Sequence, residues 1–439
     1  MHHPRGLYLL FTVEMWERFS YYGMRALLVL YLTAEFLNGG LGFSDQSASL
    51  LYGIFTGLVY FTPLIGGYIA DTYIGQRKSI VIGSLLMILG HLSLASMQNN
   101  VALYTGLILL ILGNGMFKPN ISVMVGGLYP DGDSRKDQAF TIFYMGINLG
   151  SFFAPLLTGW LAVHYGYRYG FLAAASGLML GLVNYLLLQK KYLGEVGLRP
   201  GKQVLKEENA LEQTELTKAE KQRIWAIVIL TAFAIAFFAG YEQAGCSMTI
   251  FTERYTDRTC LGYDVPTAWF QSINPLFILA LAPLMTIMWG RLDSKGKTVT
   301  IPQKMGMGLI LLGLGFLLMN LAVYQRGGDT DTLPDATFKA SMWFIVFTYL
   351  LHTIGELCLS PIGLSMVSRL APVKFASLFM GVWLASSAIA NFLAGYLSSF
   401  VQNNGFLEIY YALAASGIVL GIFLLFLNRT LLRLGNGKL

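Results

Sequence analysis

The chain has 439 residues, of which 55% are hydrophobic and 12% charged. Soluble globular proteins carry about 25% charged residues, so this composition reads as an integral membrane protein, and the long apolar runs described next make it an all-α one. The formal charge of +6 reads as the basic flanks of membrane spans and not as a nucleic-acid surface. The three cysteines, Cys246, Cys260 and Cys358, are odd in number and scattered, which predicts neither a disulfide framework nor a zinc site. His2 and His3 are too few for a tag or a metal site.

Twelve apolar runs reach the length of about 20 residues that a crossing needs. They cover 9–33, 49–70, 79–97, 101–123, 139–163, 170–190, 223–249, 267–291, 301–323, 340–366, 374–400 and 406–428. The first carries two acids and two arginines and has no small-residue cleavage site, so it reads as a span and not as a signal peptide. Within it, Glu14 to Arg25 reads E-M-W-E-R-F-S-Y-Y-G-M-R. At helical spacing Glu14, Glu17, Arg18, Tyr21, Tyr22 and Arg25 share an arc of roughly 140°. Ionisable groups at membrane depth cost about 2.5 kcal/mol or more each and usually face a bundle interior or a watery cavity. This seam is either a structural ion-pair ladder or a site for a charged substrate or protons. The 48 glycines favour close helix packing.

Lys and Arg divide unequally between alternate loops. One side, with the two ends of the chain, holds 22 and the other five, which predicts cytoplasmic termini. Residues 191–222, rich in Lys and Glu, read as a cytoplasmic linker with some helix around Leu205–Glu220. The domains are then 1–190, a six-helix bundle; 191–222, the linker; and 223–439, a second six-helix bundle. Gly67–Lys78 (G-Y-I-A-D-T-Y-I-G-Q-R-K) is weakly echoed by Gly290–Lys297 (G-R-L-D-S-K-G-K), as an internal repeat would be. The first copy resembles the loop signature of the major facilitator superfamily. That resemblance makes Asp71, Arg77 and Lys78 gating residues.

Away from the span ends, the remaining charges are Lys118 in span four, Glu242 in span seven and Glu356 in span ten. Spans 1, 4, 7 and 10 open four three-helix repeats, where a repeat-built transporter lines its cavity. By rise per residue, Arg25 lies about 22 Å and Glu242 about 27 Å along their spans, placed to pair near the outer side. Lys118 and Glu356, each about 25 Å along, are placed to pair nearer the inner side. The alternative is four independently solvated charges. Pro119 and Pro361 are expected to interrupt spans four and ten, as hinges or as packing kinks. His91, His164 and His352 read as packing or loop residues.

Six stretches, in order, resemble the proton-dependent oligopeptide transporters of the major facilitator superfamily. They are Glu14–Gly23 (E-x-x-E-R-F-S-Y-Y-G), Gly66–Gly75, Phe143–Ser151 (F-Y-M-G-I-N-L-G-S), G-N-G-M-F-K-P-N around Lys118, Asn274-Pro275, and G-E-L-C-L-S-P around Glu356. The resemblance implies twelve helices in two six-helix bundles around a central cavity. It implies a bacterial-type carrier that imports di- and tripeptides, and peptide-like drugs as a further class, with protons as the coupling ion and no other cofactor. Glu14 and Glu17 would couple protons, with Arg18 answering them and holding the peptide carboxylate. Tyr21, Tyr22, Tyr60, Lys118, Asn148, Asn274, Glu356, Trp383 and Ser387 would complete the substrate site, and Arg25 with Glu242 an outer gate. The implied setting is the inner membrane, as a monomer in the lipid bilayer with no nucleic-acid partner. Residues 191–222 are too short for the two extra helices of many bacterial members, and span two has no histidine where animal members have one.

The residues themselves suit a zwitterionic ligand. Arg18 and Lys118 offer cations, Glu356 and Glu242 offer acids, and the tyrosines and Trp383 offer apolar bodies with polar tips. Nitrate gives little reason for Glu356, a sugar little reason for so many charges, and a drug exporter prefers a more apolar site. A membrane enzyme or peptide sensor is the further alternative, but no P-loop, nucleophile elbow or HExxH motif occurs.

Overall fold

Each of the twelve apolar runs is mostly helical over its described residues in the computed structural model, which describes residues 3–130, 133, 135–200, 217–329, 338–372 and 376–437. In chain order the helices are α1 (Arg5–Thr33), α2 (Asp45–Ile69), α3 (Gln76–Ser96), α4 (Asn100–Gly127), α5 (Arg135–Tyr165) and α6 (Tyr167–Tyr192). There follow α7 (Lys218–Tyr241), α8 (Ser247–Tyr255), α9 (Ile273–Ser294), α10 (Ile301–Gln325), α11 (Met342–Leu357), α12 (Ser360–Leu370), α13 (Ala376–Ser399) and α14 (Val401–Leu434). Among the described residues, nine helical stretches are long and apolar enough to cross a membrane. At 29 residues α1 is also long enough; it falls outside that group because Glu14, Glu17, Arg18 and Arg25 crowd its middle.

Local chemistry sets several starts. Asn99 accepts from the N–H of Ala102 at 2.8 Å to begin α4. Thr217 with Glu220, and Thr300 with Gln303, form reciprocal caps at α7 and α10. The helix expected around Leu205–Glu220 lies outside the described residues through 216, and from Lys218 the chain already belongs to α7.

Two expected spans are broken. Span seven stops at Tyr241, makes a tight turn over Glu242–Gly245 and restarts as α8. Span ten stops at Leu357 and restarts at Ser360, with proline in the first turn of α12. That is the position proline tolerates, since the missing N–H has no intrahelical partner there. Span four differs from expectation, because α4 runs unbroken through Pro119. The carbonyl of Gly115, four residues back, lies where Gly66 of α2 approaches it closely.

The chain divides into two compact units, Met1–Phe43 with Leu58–Ala210, and Ser44–Gly57 with Leu211–Leu439. In the first, α1 packs on α5 and α6, and α3 packs on α4 and α6. Gly83 and Gly90 of α3 meet the carbonyls of Gly113 and Gly106 on α4, and the reverse contacts match. In the second, α10 packs on α14 and α11, and α7 on α13. The α2 segment of this second unit bonds through Ser49 Oγ to Ser398 Oγ at 2.9 Å, and Asp45 pairs with both terminal nitrogens of Arg254 at 2.6 Å.

Short strands add to the loops. β1 (Thr256–Asp257) pairs in parallel with β4 (Ala340–Ser341), and β2 (Thr259–Cys260) forms a hairpin with β3 (Tyr263–Asp264). The hairpin turns through Leu261 and Gly262, both at positive φ. In the loop after α4, Arg135 bonds the Asp133 carboxylate and holds it down at about 2.

Candidate functional site

The seam of α1 is buried, with Glu14, Glu17 and Arg18 all 3% exposed or less. Arg18 and Glu14 stand one turn apart, and Arg18 Nε lies 2.9 Å from Glu14 Oε1 and 2.5 Å from Glu17 Oε2. Isolated charges this deep would cost several kcal/mol each, so their mutual pairing is what makes the burial tolerable. Gly150 of α5 lets that helix come against the Met15 carbonyl and the Arg18 Cβ. Glu14 Oε2 and Arg18 Nη2 have no hydrogen-bond partner among the described residues. The cluster therefore keeps an unused guanidinium donor, the group that best recognises a carboxylate.

From α4, Asn114 Nδ2 donates to Glu17 Oε1 at 3.0 Å. Lys118, one turn on and half-buried, places Nζ 3.8 Å from the centre of the Tyr60 ring, within electrostatic reach of Glu14 and Glu17. Tyr22 and Tyr60 lie within electrostatic reach of Arg18, whose guanidinium carbon stands 5.8 Å from the Tyr21 ring. Arg25 is buried with its guanidinium 5.7 Å from the Tyr22 ring. The structure thus brings Glu14, Glu17, Arg18, Tyr21, Tyr22, Tyr60 and Lys118 into one neighbourhood. Asn148 is buried too, but its amide donates to the Tyr144 carbonyl of its own helix.

In the second unit Glu356 sits in the last turn of α11, where the helix dipole disfavours an acid. Two donors offset this: Tyr241 Oη at 2.7 Å and Asn274 Nδ2 at 3.0 Å, both to Oε2. The Asn274 amide also reaches Thr353 Oγ1 at 3.0 Å. The break in span seven is what ends α7 at Tyr241 and leaves buried Glu242 at the helix terminus, within electrostatic reach of Glu356. Trp383 is buried over Gly363, and the Ser387 carbonyl accepts from the Asn391 amide.

Sequence reasoning missed Asn114 and Tyr241 as partners of Glu17 and Glu356. Asn114 is four residues before Lys118 and Tyr241 precedes Glu242, so their helical neighbourhood was the available signal. Arg77 is buried and bonds the carbonyls of Val196 at 2.7 Å and Gly194 at 2.5 Å. Asp71 accepts from Gln76 at 2.7 Å, and Lys78 is exposed. Three histidines each make one hydrogen bond: His91 Nε2 with Ser20 Oγ at 2.6 Å, His164 with the Trp160 carbonyl, and His352 with the Leu312 carbonyl. Among the described residues no group of His, Cys, Asp and Glu could hold a metal.

Ion clusters buried among membrane-crossing helices mark a site for a charged ligand or for protons, as a membrane carrier has. Residues 77–206 and 200–413 match the POT family. The chain is 35% identical to "Peptide transporter YePEPT" of Yersinia enterocolitica, over 91% of this chain and 88% of that protein. It is 31% identical to a "Di-/tripeptide transporter" of Lactococcus lactis subsp. cremoris, over 98% and 96%. A crystal structure of a POT family transporter in complex with a thioalcohol-conjugated peptide superposes with a TM-score of 0.89 at 31% identity, covering 98% of this chain and 97% of that one. The chain belongs to the POT family, within the major facilitator superfamily.

Proposed function

We propose that this chain is a proton-coupled symporter that imports di- and tripeptides across the cytoplasmic membrane by alternating access. The observation that carries the reading is the buried Glu14–Arg18–Glu17 cluster on α1, with one guanidinium nitrogen unmet. A peptide carboxylate takes up Arg18 Nη2 and Lys118, and the peptide ammonium goes to Glu356. Competition for Arg18 loosens its hold on Glu14 and Glu17, so a proton binds more readily there; peptide and proton become linked ligands. Tyr21, Tyr22, Tyr60, Asn148, Asn274, Trp383 and Ser387 are assigned to the rest of the peptide.

Arg25 with Glu242, and Lys118 with Glu356, act as opposite charges that engage in alternate states. Asp71, Arg77 and Lys78 serve the gating movement. The working unit is a monomer in the inner membrane with both termini cytoplasmic and a six-plus-six division at residues 191–222.

The test is uptake of labelled di-alanine into liposomes holding the purified chain, with potassium and valinomycin making the inside negative. Concentrative uptake that a proton uncoupler abolishes, and that tripeptide but not nitrate or glucose competes, is the expected result. Folded protein that binds no peptide would overturn the reading in favour of an anion or drug carrier, and binding without any transport would favour a sensor.

A further inference from the structure

The reading of Glu17 as a proton-coupling group raises a further question, which is what receives the O–H when Glu17 is protonated. Arg18 and Lys118, the cations acting on Glu17, have donors and no acceptor. Glu14, the remaining charged group acting on it, is held by Arg18 through Oε1, and its Oε2 has no partner among the described residues but shows no bond to Glu17. Tyr22 and Tyr60 act on Arg18 beside it, and His91 of α3 bonds through Nε2 to Ser20, one turn along α1.

Asn114 is different. It is 1% exposed, and it is buried because Gly113 and Gly115 on either side let α3 and α2 close over α4. Its Nδ2 donates to Glu17 Oε1, while its Oδ1 is buried and has no hydrogen-bond partner among the described residues. A native protein rarely leaves a buried acceptor unmade, and such a group calls for an explanation.

We propose that Asn114 is a positioning residue that holds Glu17 in both protonation states, donating through Nδ2 to the carboxylate and, after its amide turns over, accepting through Oδ1 from the carboxyl. The same side chain then meets either form of Glu17 without moving α1. The unmade acceptor is the half of the amide kept for the protonated state. This inference rests on the proposed coupling role of Glu17.

The test is infrared difference spectroscopy of the full chain in liposomes between neutral and acid pH, paired with transport. Glu17→Gln identifies the Glu17 carboxyl band. In Asn114→Leu that band is expected to move to higher wavenumber, as a carboxyl that loses its acceptor does. Gradient-driven di-alanine uptake is expected to fall about tenfold, the loss of one hydrogen bond to a charged group, while peptide exchange without a gradient is kept. Asn114→Asp keeps the acceptor and loses the N–H, so there the Glu17 band is expected to move to lower wavenumber while driven uptake still falls, which covers the case where the leucine variant does not fold. A Glu17 band and a driven rate both unchanged in the Asn114 variants would overturn the proposal and leave Asn114 a packing residue. No carboxyl band lost in Glu17→Gln would overturn the coupling role of Glu17 itself, and the two failures are thereby distinct.

Discussion

Arg18 Nε lies within 3 Å of two carboxylates, and its Nη2 has no hydrogen-bond partner among the described residues. Lysine would keep the positive charge but has a single nitrogen on a flexible stem, so it cannot hold both acids and keep a free planar donor. Arg18→Lys is therefore expected to reduce peptide uptake about tenfold or more, with folding intact by gel filtration in detergent; an unchanged rate would remove the guanidinium from the mechanism. Glu356 depends on neighbours in the same way, since it sits at the negative end of α11 with Tyr241 and Asn274 as donors. Tyr241→Phe removes one charge-assisted bond and is expected to weaken di-alanine binding about tenfold, measured by calorimetry. At this scale the sequence disclosed the charges and hid their uncharged partners. Glu14, Glu17, Lys118 and Glu356 stand out because ionisable groups are rare in apolar runs. Asn114 and Tyr241 are ordinary occupants of such runs, and only the approach of α4 to α1 and of α7 to α11 reveals what they bond.

The helices were legible because each apolar run is long, and their breaks were not. Span seven reads as one run through Glu242–Gly245, although the chain turns there and restarts at Ser247. Nothing in hydropathy marks that turn; Gly240 and Gly245 were the available signal. Proline misled in one place and informed in another. Pro119 lies inside an unbroken α4, whereas Pro361 opens α12 just past the break. The two-residue strands β1 to β4 are too short for any alternation to show. Abundant glycine did foretell close packing, and α3 with α4 is the clearest case. A Cβ at Gly113 would stand 2.6 Å from the Gly83 carbonyl oxygen and from Met87 Cγ. Gly113→Leu must push these helices apart and is expected to lower stability by about 1–3 kcal/mol, read as a lower thermal midpoint in detergent; a midpoint equal to that of the parent chain would contradict this packing.

For the whole molecule, the composition, the twelve runs and the six ordered motifs led to the POT family, which the residues matched along 77–413 bear out. Composition alone carries the first step, a membrane protein, because soluble domains have about twice this share of charged residues. Proton coupling is a different kind of property, since it depends on how peptide and proton share Arg18, Glu14 and Glu17 through a cycle of states. The direct measurement is of protons and not of peptide. Liposomes holding the chain, with a pH-sensitive dye inside and the membrane potential clamped, are given di-alanine outside. Acidification of the lumen that begins with peptide addition, saturates with it and is lost in Glu17→Gln is the expected result. Peptide accumulation in the parent chain with no accompanying acidification would contradict proton-coupled symport outright.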